Sequence, residues 1–158
     1  FPAMCLLGCW THLIGNMLYM WIFADNVEDS MGHLRFVVFY LVCGVAAVLA
    51  QSLPDVSSEI PMIGASGAIS GVLGAYLLLF PRARVLVMIP LGFILKAYYL
   101  PAAAVLGFYF VLQVVMTAMA PAGGGGVAFA AHLGGFVAGL ALIPVFKHRS
   151  VALFSKRR

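Results

Sequence analysis

Charge is what this sequence has least of. Aspartate and glutamate number five and lysine and arginine nine in 158 residues, so 9% of the chain is charged against 64% hydrophobic. Soluble domains carry roughly a quarter charged residues. A chain of this length has no water-facing fold that hides so much apolar surface, and lipid must cover it. The net charge of +4 does not point to nucleic acid, because the basic residues punctuate apolar runs and form no basic face interleaved with aromatics. Cysteine is also sparse. Cys5, Cys9 and Cys43 are odd in number, contain no CxxC pair and have no His or acid at ligand spacing. That excludes a disulfide framework and a zinc site, and the three read as small apolar packing residues. Gly123–Gly126 is followed by no Lys or Ser/Thr at P-loop spacing and reads as a loop. The opening Phe1-Pro2-Ala3-Met4 has no charged n-region and reads as the interior of a longer protein. Length sets one domain as the starting expectation.

What is present is a series of apolar runs, measured against the roughly 20 residues needed to cross the hydrocarbon core. They span Leu13 to Ala24, Phe36 to Leu53, Ile63 to Phe80, Pro101 to Ala118 and Val127 to Phe146. The stretch Val85 to Leu100, broken by Pro90, Gly92 and Lys96, reads as interfacial or as a lead-in to the fourth span. Pro101 suits the first turn of that helix. Arg35, then Arg82, Arg84 and Lys96, then Lys147, Arg149, Lys156, Arg157 and Arg158 fall on alternate connections, while the other two connections hold only Asp55 and Glu59. The positive-inside rule then predicts five transmembrane helices in an all-α bundle, with the C-terminus cytoplasmic.

This topology brings His12, Asn16, Ser66 and His132 to about one depth near the outer face. Polar side chains in lipid are costly and face the bundle interior, so their convergence marks a candidate site. Serine needs a neighbouring base to become a nucleophile, and neutral imidazole is the usual one. His12 and Asn16 share one helix face at i, i+4 spacing and are placed to donate to an oxyanion. Ser66 opens its helix, where backbone N–H groups are free. Gly67, Gly71 and Gly74 form one stripe, and His132, Gly135 and Gly139 another; packing small-residue stripes together sets Ser66 opposite His132. No carboxylate lies near the outer ends apart from Asp55 and Glu59, which favours a dyad over a triad. Each feature alone has a plainer reading: a chance G-x-S-G string, glycine packing, a structural or proton-relay histidine, an asparagine joining helices. A small transporter with His12, Asn16 and His132 lining a polar path is a further alternative, weakened by the scarcity of intramembrane acids. His33 and His148 read as solvated residues at the cytoplasmic ends.

The residues resemble the rhomboid intramembrane serine proteases over nearly the whole chain. Trp10 to Leu18 is similar to the family's H-x-x-x-N segment, and Phe23 to Asp29 with Gly32 to its N-V-E-D…G element. Gly64-Ala65-Ser66-Gly67 with Gly71 resembles the nucleophile motif, and Ala131-His132 with Gly135 and Gly139 the base-bearing helix. The resemblance implies Ser66 as nucleophile and His132 as general base and acid. It implies His12, Asn16 and the Ser66 N–H as oxyanion hole, with Gly64 letting the chain turn close to the nucleophile. It further implies single-span transmembrane substrates, a bacterial-type plasma membrane, no metal and no cofactor. Residues 1–158 would form a single protease domain lacking the first of the family's six spans. A catalytically inactive relative that binds transmembrane clients is the alternative within the same resemblance. Ser70 stands where some bacterial members have a tyrosine stacked on the catalytic histidine, which leaves the orientation of His132 to another group. Leu7 stands where many members have a further histidine.

Overall fold

A computed structural model of the chain describes residues 2–52, 65–91, 94–119 and 129–155. In chain order its elements are α1 (Pro2–Met31), α2 (His33–Ser52), α3 (Ser66–Leu79), β1 (Arg84–Leu91), β2 (Ile94–Pro101), α4 (Ala102–Met119) and α5 (Phe129–Phe146). Helices α2, α4 and α5 are each long and apolar enough to cross a membrane, and α3 is a shorter apolar helix of 14 residues. The architecture is a membrane helix bundle with the five helices expected.

Two local expectations are corrected. The first run does not stop at Ala24: α1 continues through Asp25, Glu28 and Asp29 to Met31. The acids do not break it, because Asp25 and Asp29 are exposed and Glu28 is half-buried, while Val27, Ser30 and Met31 on the inner side are buried. The helix ends at Gly32, whose φ of 84° is open to glycine at little cost. The second correction concerns Val85 to Leu100, which is no helical lead-in but an antiparallel hairpin, with Arg84 opposite Pro101 and Leu91 opposite Ile94. Val85, Val87, Ile89, Tyr98 and Tyr99 are β-branched or aromatic and suit extended backbone. Pro101 therefore closes β2 instead of opening α4.

One end of the bundle is tied together by backbone bonds. The N–H of His148 donates to Ser30 O (2.8 Å), that of Ala102 to Ala83 O (2.7 Å), and those of Phe154 and Ser155 to Leu78 O and Leu79 O (2.9 and 2.8 Å). These contacts gather the ends of α1, α3 and α5 and the start of α4. Arg35, Arg82, Arg84, Lys147 and Arg149 flank the same end, as the alternation of basic connections requires. From this basic end α3 rises about 21 Å, whereas the 20 residues of α2 rise about 30 Å. The N-terminus of α3 thus lies roughly 9 Å short of the opposite end of α2.

Helix α3 is the centre of the bundle: every residue from Gly67 to Tyr76 is buried. It packs on α5 more extensively than any other helices pack together. The seam is made of glycine against backbone. A methyl group added to Gly135 would fall on the carbonyl oxygen of Gly67, one added to Gly139 on that of Gly71, and one added to Gly74 on that of Phe136. On the other side of α3, a methyl on Gly67 would stand 2.5 Å from Ala47 Cβ of α2, and one on Gly71 2.5 Å from Cys43 Cβ. An added methyl at Gly67, Gly71, Gly135 or Gly139 would thus collide with an atom of a neighbouring helix. Gly64 lies outside the described residues.

Gly135→Val should destabilise the bundle by at least the roughly 1–3 kcal/mol typical of overpacking, read as a lower unfolding temperature in detergent micelles. Gly107→Ala, where an added methyl meets nothing within 4 Å, should be neutral or stabilising by up to about 1 kcal/mol through helix propensity. Equal effects of the two substitutions would contradict a backbone-to-backbone seam.

Candidate active site

Ser66 is the first residue of α3. The preceding Ala65 supplies no side-chain cap (φ −74°, ψ −3°), so among the described residues the first backbone N–H groups of the helix have no acceptor, as at any uncapped N-terminus. His132 lies in the first turn of α5. That turn is held from α2, where Gln51 Oε1 accepts from the Ala131 N–H at 3.1 Å. With the glycine seam closed, His132 Nε2 and Ser66 Oγ stand 2.9 Å apart. Both residues are half-buried.

The other imidazole nitrogen fixes the protonation pattern. His132 Nδ1 is 3.0 Å from Oε1 of Gln113 on α4. A carboxamide oxygen only accepts, so Nδ1 carries the ring proton and Nε2 presents its lone pair to the Ser66 hydroxyl. Gln113 is itself buried, 6% exposed. One turn along α3, Ser70 Oγ is 2.6 Å from the hydroxyl of Tyr109, also on α4. Tyr109 and Phe110 lie against Phe136 of α5, with ring centroids 6.1 and 5.1 Å away.

Depth along the bundle agrees across the elements. At 1.5 Å per residue, Gln113 stands about 17 Å above the basic end of α4, Ser66 about 20 Å above that of α3 and His132 about 21 Å above that of α5. Asn16 lies about 22 Å from the end of α1, and His12 about 28 Å. His12 and Asn16 continue, at helical spacing, the face of α1 that carries Met20, Phe23 and Val27 into the bundle. An adjoining face, with Leu13, Ile14, Met17, Leu18 and Trp21, is exposed. His12 is exposed and Asn16 half-buried, and among the described residues neither side chain makes a hydrogen bond.

The structure thus joins Ser66 to His132 directly and leaves His12 exposed and Asn16 half-buried on α1, at helical spacing from the buried Phe23 and Val27. Gly123–Gly126, read from the sequence as a loop, lies outside the described residues. Among the described residues no three of His, Cys, Asp and Glu gather as a metal-binding group. Sequence reasoning missed Gln51, Tyr109 and Gln113. Gln113 had a signal of its own, being the one carboxamide in the apolar stretch 102–119, which holds no Asp, Glu, Lys, Arg or His.

Comparison with known proteins follows the same outline. The family described as "Rhomboid domain" matches residues 1–149. The chain is 31% identical to "Rhomboid protein 1, mitochondrial" of Saccharomyces cerevisiae over 134 residues, which are 82% of this chain and 36% of that protein. It is 34% identical over 70 residues to "RHOMBOID-like protein 5" of Arabidopsis thaliana, 44% of this chain and 23% of that one. It is 42% identical over 66 residues to "Rhomboid protease GluP" of Bacillus subtilis, 42% of this chain and 12% of that one. The chain therefore spans little more than a third of the yeast relative and less of the other two. No solved structure matches. Because the relatives include mitochondrial proteins as well as a bacterial one, they do not support the bacterial-type plasma membrane that was expected. The match over residues 1–149 makes the chain a member of the rhomboid family.

Proposed function

We propose that this chain is an intramembrane serine endopeptidase that cleaves single-span transmembrane substrates with Ser66 and His132. The observation that carries the proposal is the 2.9 Å contact between His132 Nε2 and Ser66 Oγ, made by residues 66 positions apart in sequence. In the mechanism, Ser66 Oγ attacks the scissile carbonyl carbon while its proton passes to His132 Nε2. The tetrahedral oxyanion lies against the free N–H groups that open α3, with His12 and Asn16 donating from α1. Collapse breaks the C–N bond, and His132 returns the proton to the leaving amine. Water then repeats the sequence on the acyl-enzyme, with His132 again as base, and regenerates the Ser66 hydroxyl.

Membrane placement follows from the charge pattern. The basic end is cytoplasmic by the positive-inside rule, and the dyad lies near the outer face. Because α3 stops about 9 Å short of the outer end of α2, the nucleophile is recessed below the surface. A substrate helix must unwind there to offer a carbonyl, since helical carbonyls are already bonded.

In proteoliposomes carrying a reporter transmembrane substrate, Ser66→Ala and His132→Ala should each lower cleavage by at least about 10³-fold. A fluorophosphonate should label Ser66 in the parent and not in Ser66→Ala. Persistent cleavage by either variant overturns the assignment. Client binding without cleavage or labelling in the parent would favour an inactive client-binding protein. His12→Ala and Asn16→Ala should each reduce kcat by about 10- to 10³-fold, with smaller changes in KM, if they donate to the oxyanion. Unchanged kcat in both would remove them from the hole.

A further inference from the structure

We infer that Gln113 is the residue that positions His132, making the dyad the reacting part of a hydrogen-bonded Ser66–His132–Gln113 chain; this rests on the proposed protease reading. An imidazole held on one side only by a serine hydroxyl is free to rotate about its side-chain torsions and to take either tautomer. In its other tautomer the ring carries the proton on Nε2, and the lone pair no longer faces Ser66. Such a ring cannot accept the serine proton.

The described residues show one group that settles the tautomer, the Gln113 carboxamide. Its Oε1 is 3.0 Å from Nδ1, and Gln113 is buried on the inner face of α4. The bond persists through the reaction. When Nε2 takes the Ser66 proton, Nδ1–H remains on Oε1, and the carbonyl dipole faces the new positive charge. No atom of Gln113 is consumed or transferred. This is the orienting role that a carboxylate fills in a triad, performed by a neutral group. Neutrality suits the setting, since an isolated carboxylate at this depth in lipid is costly. It also accounts for Ser70: with no aromatic ring at that position to stack on the imidazole, orientation comes from α4 across the bundle. Ser70 is instead bonded to Tyr109 on the same helix.

The inference also makes the dyad sensitive to where α4 sits. Only Ala102, Leu106 and Gln113 of α4 are buried. Gln113 is therefore the one buried residue in the half of α4 nearer the site, and a shift of that half withdraws the acceptor from Nδ1.

Three variants separate positioning from mere seating of α4. Gln113→Met keeps length and apolar volume but removes the acceptor. Gln113→Glu restores an acceptor oxygen whether the carboxyl is ionised or not. Tyr109→Phe breaks the other polar tie of α4 and leaves His132 untouched. In proteoliposomes, Gln113→Met should slow both kcat and fluorophosphonate labelling of Ser66 by about 10- to 100-fold, the cost of losing the hydrogen-bonded partner that orients a metal-bound histidine, with KM changed by less than about twofold. Gln113→Glu should recover most of the loss, and Tyr109→Phe should label like the parent. In ¹⁵N spectra of the imidazole, the parent should show a protonated Nδ1 and an unprotonated Nε2, and Gln113→Met a mixture. Labelling by Gln113→Met at the parent rate overturns the inference, as does equal slowing by Tyr109→Phe. Should Gln113→Met fail to fold, a mixed tautomer in the parent spectrum overturns it as well. The spectrum does not depend on proteolysis, so a failure of the protease reading, seen as cleavage by Ser66→Ala, is distinguishable from a failure here.

Discussion

Gly135 lies on the carbonyl of Gly67 and Gly139 on that of Gly71, so that α3 and α5 meet backbone to backbone with no side chain between them. The position of every group at the candidate site depends on this seam. Helices separated by ordinary side chains run 8–10 Å apart, and at that spacing a serine and a histidine at the two ends of the seam would not reach each other. Lipid tails give no hydrophobic reason for the helices to associate, so the association rests on close van der Waals contact and polar bonds. Small residues are the only way to obtain that contact over several turns. The same seam therefore supplies packing energy and brings Ser66 and His132 to 2.9 Å.

Cross-helix polar bonds then do a different job from the glycines. Gln51 to the Ala131 N–H, Gln113 to His132, His132 to Ser66 and Tyr109 to Ser70 link α2, α3, α4 and α5 at nearly one level. Within a membrane each such bond averages about 0.6 kcal/mol, so together they amount to only a few kcal/mol. Their weight lies in specification. A one-turn slip of any of these helices would leave a donor or acceptor unmet in a low-dielectric interior, where that is expensive. Among the described residues no buried side-chain polar atom is left without a partner.

Much of this was legible in the sequence, for reasons that can be named. The helices announce themselves by apolar length, and the alternating basic connections agree with their number. Ser66, His132 and the two glycine stripes could be aligned because a helix has a fixed period, so residues at 3–4 spacing must share a face. The end of α1 was misplaced because acids were read as leaving the membrane, when Asp25 and Asp29 needed only an exposed face of a helix that continues to Gly32. The hairpin of β1 and β2 was missed because a short apolar stretch containing Pro90 and Gly92 has no period long enough to separate strands from an interfacial stretch or a lead-in to α4. Gln113 was overlooked for another reason: its partner is 19 residues away on a different helix, and no local pattern records which face of α4 turns inward.

That last failure explains something about α4 itself. The glycine stripes identify α3 and α5 as a pair because both surfaces are marked by the absence of side chains. Helix α4 has no such stripe, and an added methyl at its one glycine, Gly107, would meet nothing. It is therefore not held by backbone contact. Near the site it is joined to α3 by the Tyr109–Ser70 bond and to α5 by the Gln113–His132 bond, with Phe110 against Phe136 between them. A close-packed pair of helices sets Ser66 against His132, and a third helix flanks them through a few polar and aromatic contacts. The seam fixes the distance between Ser66 and His132, which must not vary. The α4 contacts bear on the imidazole itself, through the bond between Gln113 and His132 Nδ1.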